Sequence, residues 1–375
     1  MLKIISFYLP QFHSIPENDE AWGKGFTEWD NVKSAKKLYK NHYQPRVPKN
    51  KNYYSLMDVN TLRWQAGLAN DYGIYGFCFY HYWFNDGKLL LEKPIEMFLE
   101  NKDIDIKFCL SWANEAWTQA WVSKSDRVIV DQNYGNEETW LKHFNYLIRF
   151  FKDDRYIKDE GKPLFVIYRP ELITDLNSML DYWDKLAIKN GFPGIKYAYQ
   201  GIWFDKVKDR DDSRFDFNIE YEPAYAMDEL SSKSSKKLTE ISKKIDKFCL
   251  KYIGFQPSNY LMKSVRKLDY DSVWQASLKH KPNDEKCVAG AFVDWDNTPR
   301  RGEKGLVIQG ANPEKFKSYL SKKISQVKQI YSSDYLFLFA WNEWAEGGYL
   351  EPDEKFGNEY LKAVKAAIEE NENGI

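Results

Sequence analysis

The stretch FLFAWNEWAEGGYLEPD, Phe337 to Asp353, decides how the rest of the chain is read. It opens as an unbroken apolar run and closes on carboxylates, with Glu343 and Glu346 flanked by Trp341 and Trp344. A parallel strand covered on both faces reads as such a run rather than as an alternation. Carboxylates placed directly after it mark the loop that follows a barrel strand, where barrel enzymes carry their chemistry.

Working outward, seven more runs of this kind precede it: residues 3–9, 75–83, 106–113, 162–169, 195–201, 215–222 and 287–295, with 335–342 the last. Helical patterns separate most of them. Within residues 136–153 the apolar side chains fall at 140, 141, 144, 147, 148 and 151, one stripe of a helix. Asn312 and Pro313 read as the cap and first position of another. Strand–helix alternation repeated in this way predicts an α/β chain folded as a single (β/α)8 TIM barrel over residues 1–375. Long βα loops follow strands 1 and 6, at residues 10–54 and 223–286. The first is expected to fold over the barrel mouth. The second is expected to hold one or two helices, with the run LSSKSSKKLTEISKKIDKF as a solvated helix face. An open doubly wound sheet is the alternative, but no GxGxxG or GxxxxGK[ST] follows any strand.

The composition is that of a globular protein, and a net charge of −1 gives no electrostatic case for a nucleic-acid or membrane partner. The four cysteines form no CxxC and no zinc spacing with histidine, so buried free thiols in a reducing compartment are expected. The N-terminal apolar run is short and ends at Pro10, unlike a signal peptide, and no stretch is long enough to span a membrane. These features together predict a cytoplasmic protein; oligomeric state is left open. Aromatic residues make up 17% of the chain, enough to fill a core and also wall a sugar-binding groove.

The strand ends carry a consistent set. Strand 1 ends in Tyr8, Gln11 and His13, strand 2 in Tyr80, His81, Tyr82 and Trp83, and strand 3 in WANEAW with Trp112, Asn114, Glu115 and Trp117. Strand 4 offers Tyr168 and Arg169, strand 6 Tyr221 between Glu220 and Glu222, and strand 7 the segment DWDNTPRR. Singly, each has a plain structural reading. His81 reads as a core histidine, and Glu220 and Glu222 read equally well as salt-bridged scaffold. Asp294 and Asp296 form a DxD pattern, yet simple pairing with Arg300 or Arg301 accounts for them, so no metal is assigned. Together the set is harder to dismiss, and no Ser/His/Asp order or nucleophilic cysteine competes with it. Glu343 and Glu346 lie three apart, so a helical turn after strand 8 would bring them onto one face. Paired carboxylates with aromatic walls fit glycosidic bond cleavage, one as acid and the other as base or nucleophile.

The segments SFYLPQFHSIPENDEAWGKGFTEWDNV, YGFCFYHYWF, SWANEAW and AWNEWAEGGYLEPD resemble the WbsX family, over Ile5 to about Tyr360. That family is tied to bacterial surface-polysaccharide biosynthesis, is often called a glycosyltransferase family, and contains a domain like glycoside hydrolase family 99. The more distant likeness to family 99 implies a (β/α)8 barrel acting on α-mannosides without a metal or other cofactor. It also implies that Glu343 acts as base on the sugar's own 2-hydroxyl, giving an anhydro-sugar, and that Glu346 acts as general acid and then as base toward water. Ala345 stands where family 99 usually has His, and YLPQFH is WbsX-like only, so the α-mannoside preference is not carried over. On this reading Tyr8, Tyr80, Trp112, Trp341 and Trp344 wall a groove for an oligosaccharide or polysaccharide. Gln11, His13, His81, Asn114, Glu115, Tyr221, Asp296, Arg300 and Asn342 are its remaining expected contacts. Two rivals stand beside it: a nucleotide-sugar-dependent glycosyltransferase of O-antigen or capsule synthesis, and a non-catalytic glycan-binding protein.

Overall fold

The computed structural model describes residues 2–119, 127–230 and 265–373. Eight parallel strands are β1 (Lys3–Tyr8), β2 (Gly76–Trp83), β3 (Lys107–Trp112), β4 (Lys162–Ile167), β5 (Lys196–Gln200), β6 (Phe217–Ile219), β7 (Cys287–Phe292) and β8 (Tyr335–Phe339). Each pairs with the next, and β1 closes the ring by pairing with β8 from Lys3↔Tyr335 and with β2 from Ile5↔Gly76. The fold is the expected (β/α)8 barrel, and every expected strand is present. β6 is shorter than its apolar run, although the Glu220 backbone N–H beyond it still donates to the Val288 carbonyl at 3.0 Å.

Helices α1 (Pro16–Trp22), α2 (Glu28–Ser34), α3 (Val59–Asp71), α4 (Lys93–Glu100), α5 (Glu137–Phe151), α6 (Leu176–Lys189), α7 (Ala224–Leu230), α8 (Tyr270–Lys279), α9 (Pro313–Ile330) and α10 (Glu359–Asn373) follow in chain order. Asn312 caps α9 through its side chain with Pro313 next to it, as the sequence suggested. The first long loop does fold over the mouth. Its residues His42, Gln44 and Arg46 bind Asp296 and Asp294 in the loop after β7 at 2.7–2.8 Å. In the second loop, α7 and α8 are the helices described; the Lys-rich run from residue 231 and Cys249 lie outside the described residues. Cys78, Cys109 and Cys287 are buried and unpaired. Among the described residues no helix is long and apolar enough to cross a membrane.

Alternation along the strands divides the core into two compartments. The Phe7 ring meets Tyr80, Tyr221 and Phe337 at 5.4–5.7 Å, contacts from four strands that can only converge inside the barrel. The other phase meets the helices: Phe79 packs on Phe98 of α4, Phe165 on Trp183 of α6, and Phe292 on Trp274 of α8. Glu220 and Glu222 belong to this outer phase. Glu220 accepts from Tyr331 at 2.8 Å and from the buried Lys323 of α9 at 3.4 Å, so it is scaffold. Gly290 of β7 lies against this cluster, where an added Cβ would sit 1.7 Å from the Glu220 carbonyl oxygen. Gly290→Ala is expected to cost about 3 kcal/mol or more, because backbone must move to admit one methyl group. Thermal denaturation checks this; an unchanged melting temperature would contradict the close approach.

Candidate active site

The end of β8 is built to present two carboxylates on one side. Asn342–Glu343 pairs antiparallel with Gly348–Tyr349, and Trp344–Glu346 between them form a single 3₁₀ turn. Glu343 precedes that turn and Glu346 ends it, and both side chains reach the same arginine. The turn closes at Gly347, whose φ of 72° and 2.9 Å clearance from the Asp296 N–H to any added Cβ leave room for glycine alone.

One arginine holds the pair. Arg300, from the helical turn Thr298–Arg301, donates through one terminal nitrogen to Glu346 at 2.8 Å and through the other to Glu343 at 3.3 Å. Its Nε–H donates to Glu28, the first residue of α2, at 2.7 Å. The planar fork thus fixes three carboxylates around one charge. Burial pushes the Glu343 carboxyl up to about 8; Arg300 opposes the shift, and the charges of Glu346 and Glu28 add to it. Glu28 is raised as well, mainly by burial, with Arg300 again opposing. Tyrosines complete the wall. The Tyr80 and Tyr221 hydroxyls are 2.9 Å apart, and Glu343 raises the phenols of Tyr80 and Tyr82 beyond what burial does. Glu346 does the same for Tyr168 and Tyr221.

The structure therefore gathers Glu343, Glu346, Arg300, Tyr80 and Tyr221 from the expected set. It sends others elsewhere. Tyr8 is fully buried among the outer residues and donates to Gln65 of α3 at 2.6 Å. His81 faces His143 of α5 at 2.8 Å, and burial lowers its pKa to about 3, so it is the core histidine of the plainer reading. Trp112 packs on His143 and Trp183 and donates to the Trp83 carbonyl. Trp341 and Trp344 are buried too, and both indoles donate to Glu351, so neither offers a face to a sugar. Asn342 binds both the N–H and the C=O of Leu9, strapping the β8 end to β1. Asp296 is enclosed by His42, Gln44 and Thr298, whose hydrogen bonds overcome burial and lower its pKa. The pairing of Asp294 and Asp296 is with the first loop, not with Arg300 or Arg301. Gln11 is buried and its carbonyl anchors the first N–H of α2, while His13 is buried nearby with its pKa lowered by burial.

A second polar group lies beyond Tyr168. Asn114 clasps the Arg169 backbone with two bonds of 2.8 Å, and the Arg169 guanidinium pairs with Glu115 and Glu171. That guanidinium sits 4.8 Å over the ring of Trp203, which is 44% exposed. Asn114 is thus a positioning residue, and Glu115 reaches the mouth through Arg169. Glu28 and Trp203 were not anticipated, and Tyr82 and Tyr168, though read at their strand ends, were not among the expected contacts. For Tyr82 and Tyr168 a signal existed, since each shares the inward phase of its strand end; for Glu28 nothing distinguished it from the other acids of its loop.

Residues 4–364 match the family model described as Glycosyltransferase WbsX. The chain belongs to the WbsX family. This WbsX chain is 34% identical over 369 residues to "Uncharacterized protein WxcX" of Xanthomonas campestris pv. campestris (strain B100), a match covering 97% of this chain and 49% of that protein. The protein of the same description from strain ATCC 33913 is also 34% identical, over 368 residues. The WbsX chain spans about half the length of these curated relatives. Its backbone resembles a GH99 endo-alpha-mannosidase from Bacteroides thetaiotaomicron, with a TM-score of 0.54 and 13% identity over 99% of this chain and 97% of that one. A solved "Glycoside hydrolase-like protein" has a TM-score of 0.55 at 12% identity, over 98% of this chain and 93% of that one. At such identities the likeness is one of fold, and it agrees with the barrel described above.

Two predictions follow from the electrostatics and the support of the β8 turn. The stability that protonated Glu343 confers is complete below its unfolded pKa and is lost as pH rises through about 8. Glu343→Gln should therefore stabilise the fold, hardly at pH 5 and by a few kcal/mol at pH 9, as read by urea denaturation at each pH; a pH-independent effect would contradict the buried, proton-bearing carboxyl. Glu351 receives Tyr54, Gln65, Trp341 and Trp344 as donors at 2.6–3.1 Å. Glu351→Ala leaves these buried donors without their acceptor and is expected to cost at least about 3 kcal/mol in urea denaturation.

Proposed function

We propose that this chain is a glycoside-active enzyme of bacterial surface-polysaccharide metabolism that cleaves or transfers a glycosidic bond with the Glu343/Glu346 pair. The observation that carries this reading is the single Arg300 fork joining both carboxylates beneath a tyrosine wall. With its raised pKa, Glu343 holds a proton at neutral pH in the empty site. A sugar 2-hydroxyl donating to Glu343 favours its ionised form and passes the proton to the more open Glu346. Glu346 then protonates the leaving oxygen as the bond from that oxygen to the anomeric carbon breaks. Glu343 takes the 2-hydroxyl proton as the sugar's own oxygen closes on that carbon. Water, deprotonated by Glu346, opens the anhydro ring, and Glu343 returns its proton to the 2-oxygen. Two inversions give net retention, and another sugar hydroxyl in place of water gives transfer. Tyr80, Tyr82, Tyr168 and Tyr221 bound the reacting sugar. Glu115 and Arg169, with Trp203 beside them, meet the neighbouring unit. We place the reaction in the cytoplasm.

The family description favours a second reading, a nucleotide-sugar-dependent transferase. Mass spectrometry of products formed from the host's surface polysaccharide in ¹⁸O-water, with and without nucleotide sugars, separates the two. Heavy oxygen at new reducing ends is expected, falling by about 10³-fold in Glu346→Gln. With an activated aryl glycoside, whose leaving group needs no acid, Glu346→Gln should recover turnover while Glu343→Gln should not. Glycan growth only in the presence of nucleotide sugars, without heavy oxygen, would overturn the leading reading.

A further inference from the structure

A cavity lies away from the carboxylates that Arg300 holds. It measures about 680 Å³ and is lined by the loop 48–54, Trp64 and Leu68 of α3, and Trp344, Glu351, Pro352 and Asn358; neither Glu343 nor Glu346 reaches it. That volume is in the range of small-molecule sites.

The rim is built, not loose. Lys49 N–H donates to the Pro352 carbonyl at 2.9 Å, and Glu354 N–H to the Val47 carbonyl at 2.9 Å. Asn50 and Lys51 are both held at positive φ, 58° and 54°, a conformation that side chains with a Cβ adopt only where their surroundings fix it. The Asn50 N–H is tied to Glu354 at 2.6 Å. One wall is aromatic: Trp64, 38% exposed, and the half-buried Tyr53. The polar lining combines the amides of Asn50, Asn52 and Asn358 with Lys49 and Lys51, and Asn358 is itself bonded to Lys49 and Tyr72. Glu351 lies at the base, but its two oxygens are already occupied by four donors, and Lys49 is bonded to Asn358 at 3.2 Å. An exposed ring for an apolar face, beside the amides of Asn50 and Asn52 and the donor Lys51, suits a ligand carrying many hydroxyls.

We propose that this pocket is a second saccharide site, which holds a stretch of the same polymer at a distance from the bond being broken. The assignment to a saccharide rests on the pocket's own chemistry; that it is the substrate polymer rests on the glycan-active reading. Trp344 belongs to both regions: its indole donates to Glu351 at the pocket base, and its backbone forms the turn between Glu343 and Glu346.

The test is ¹⁹F NMR of protein labelled with 5-fluorotryptophan, with the Trp64 signal identified by its loss in Trp64→Phe. The probes are mannotetraose, maltotetraose, cellotetraose and mild-acid fragments of the host's surface polysaccharide. At least one should shift the Trp64 signal saturably, equally in the Glu343→Gln/Glu346→Gln protein, and roughly tenfold more weakly in the exposed-site variant Asn52→Ala. No shift with any probe overturns the proposal. So does a shift that disappears when the catalytic pair is changed, because it then reports the active site. A saturable Trp64 shift in a protein without turnover leaves this site standing and removes only the catalytic reading.

Discussion

In a closed barrel every strand residue must face either the interior or the helices, and the period of two leaves no third choice. This constraint orders the whole molecule. Phe7, Tyr80 and Tyr221 take the inward phase and stack up to the mouth, while Tyr8, His81 and Glu220 take the outward phase and bond to helices. Neighbours in sequence therefore have unrelated work. Tyr221 belongs to the site, and the glutamates on either side of it belong to the scaffold.

Charge at the mouth follows a second rule. Two buried carboxylates, Glu28 and Glu343, and the half-buried Glu346 repel one another and lose hydration, and one guanidinium cannot neutralise all of them. Arg300 answers part of that cost by bonding Glu28, Glu343 and Glu346 at once, and the remainder is met by protonation, with Glu343 raised to about 8. The result is three carboxyl groups held by one fork, with Glu343 keeping its proton at neutral pH. Glu28 is essential to this balance although it comes from the first loop, more than two hundred residues away in the chain.

The loops make the turn after β8 rigid enough to carry that pair. Behind it, Glu351 gathers the indoles of Trp341 and Trp344 with Tyr54 and Gln65, and Asn342 ties the turn to β1. In front of it, Arg46 reaches both the Gly347 carbonyl and Asp294. Much of the aromatic excess is thus structural support close to the site rather than contact with a sugar.

The sequence by itself determined the barrel, because eight apolar runs separated by helical stripes have few other ways to bury their surfaces. It also brought Glu343 and Glu346 forward, since charge at a strand end is costly without a use, and four long segments identified the family. It did not say which strand-end residues face inward: both phases of a buried parallel strand are apolar or aromatic, so Tyr8 and Tyr80 look alike until the helices are in place. Nor could it reveal the Glu28–Arg300 contact or the Glu351 cluster, which join residues far apart in the chain. Only the tertiary structure decided those, because closing the barrel is what brings the first and last loops together over one mouth.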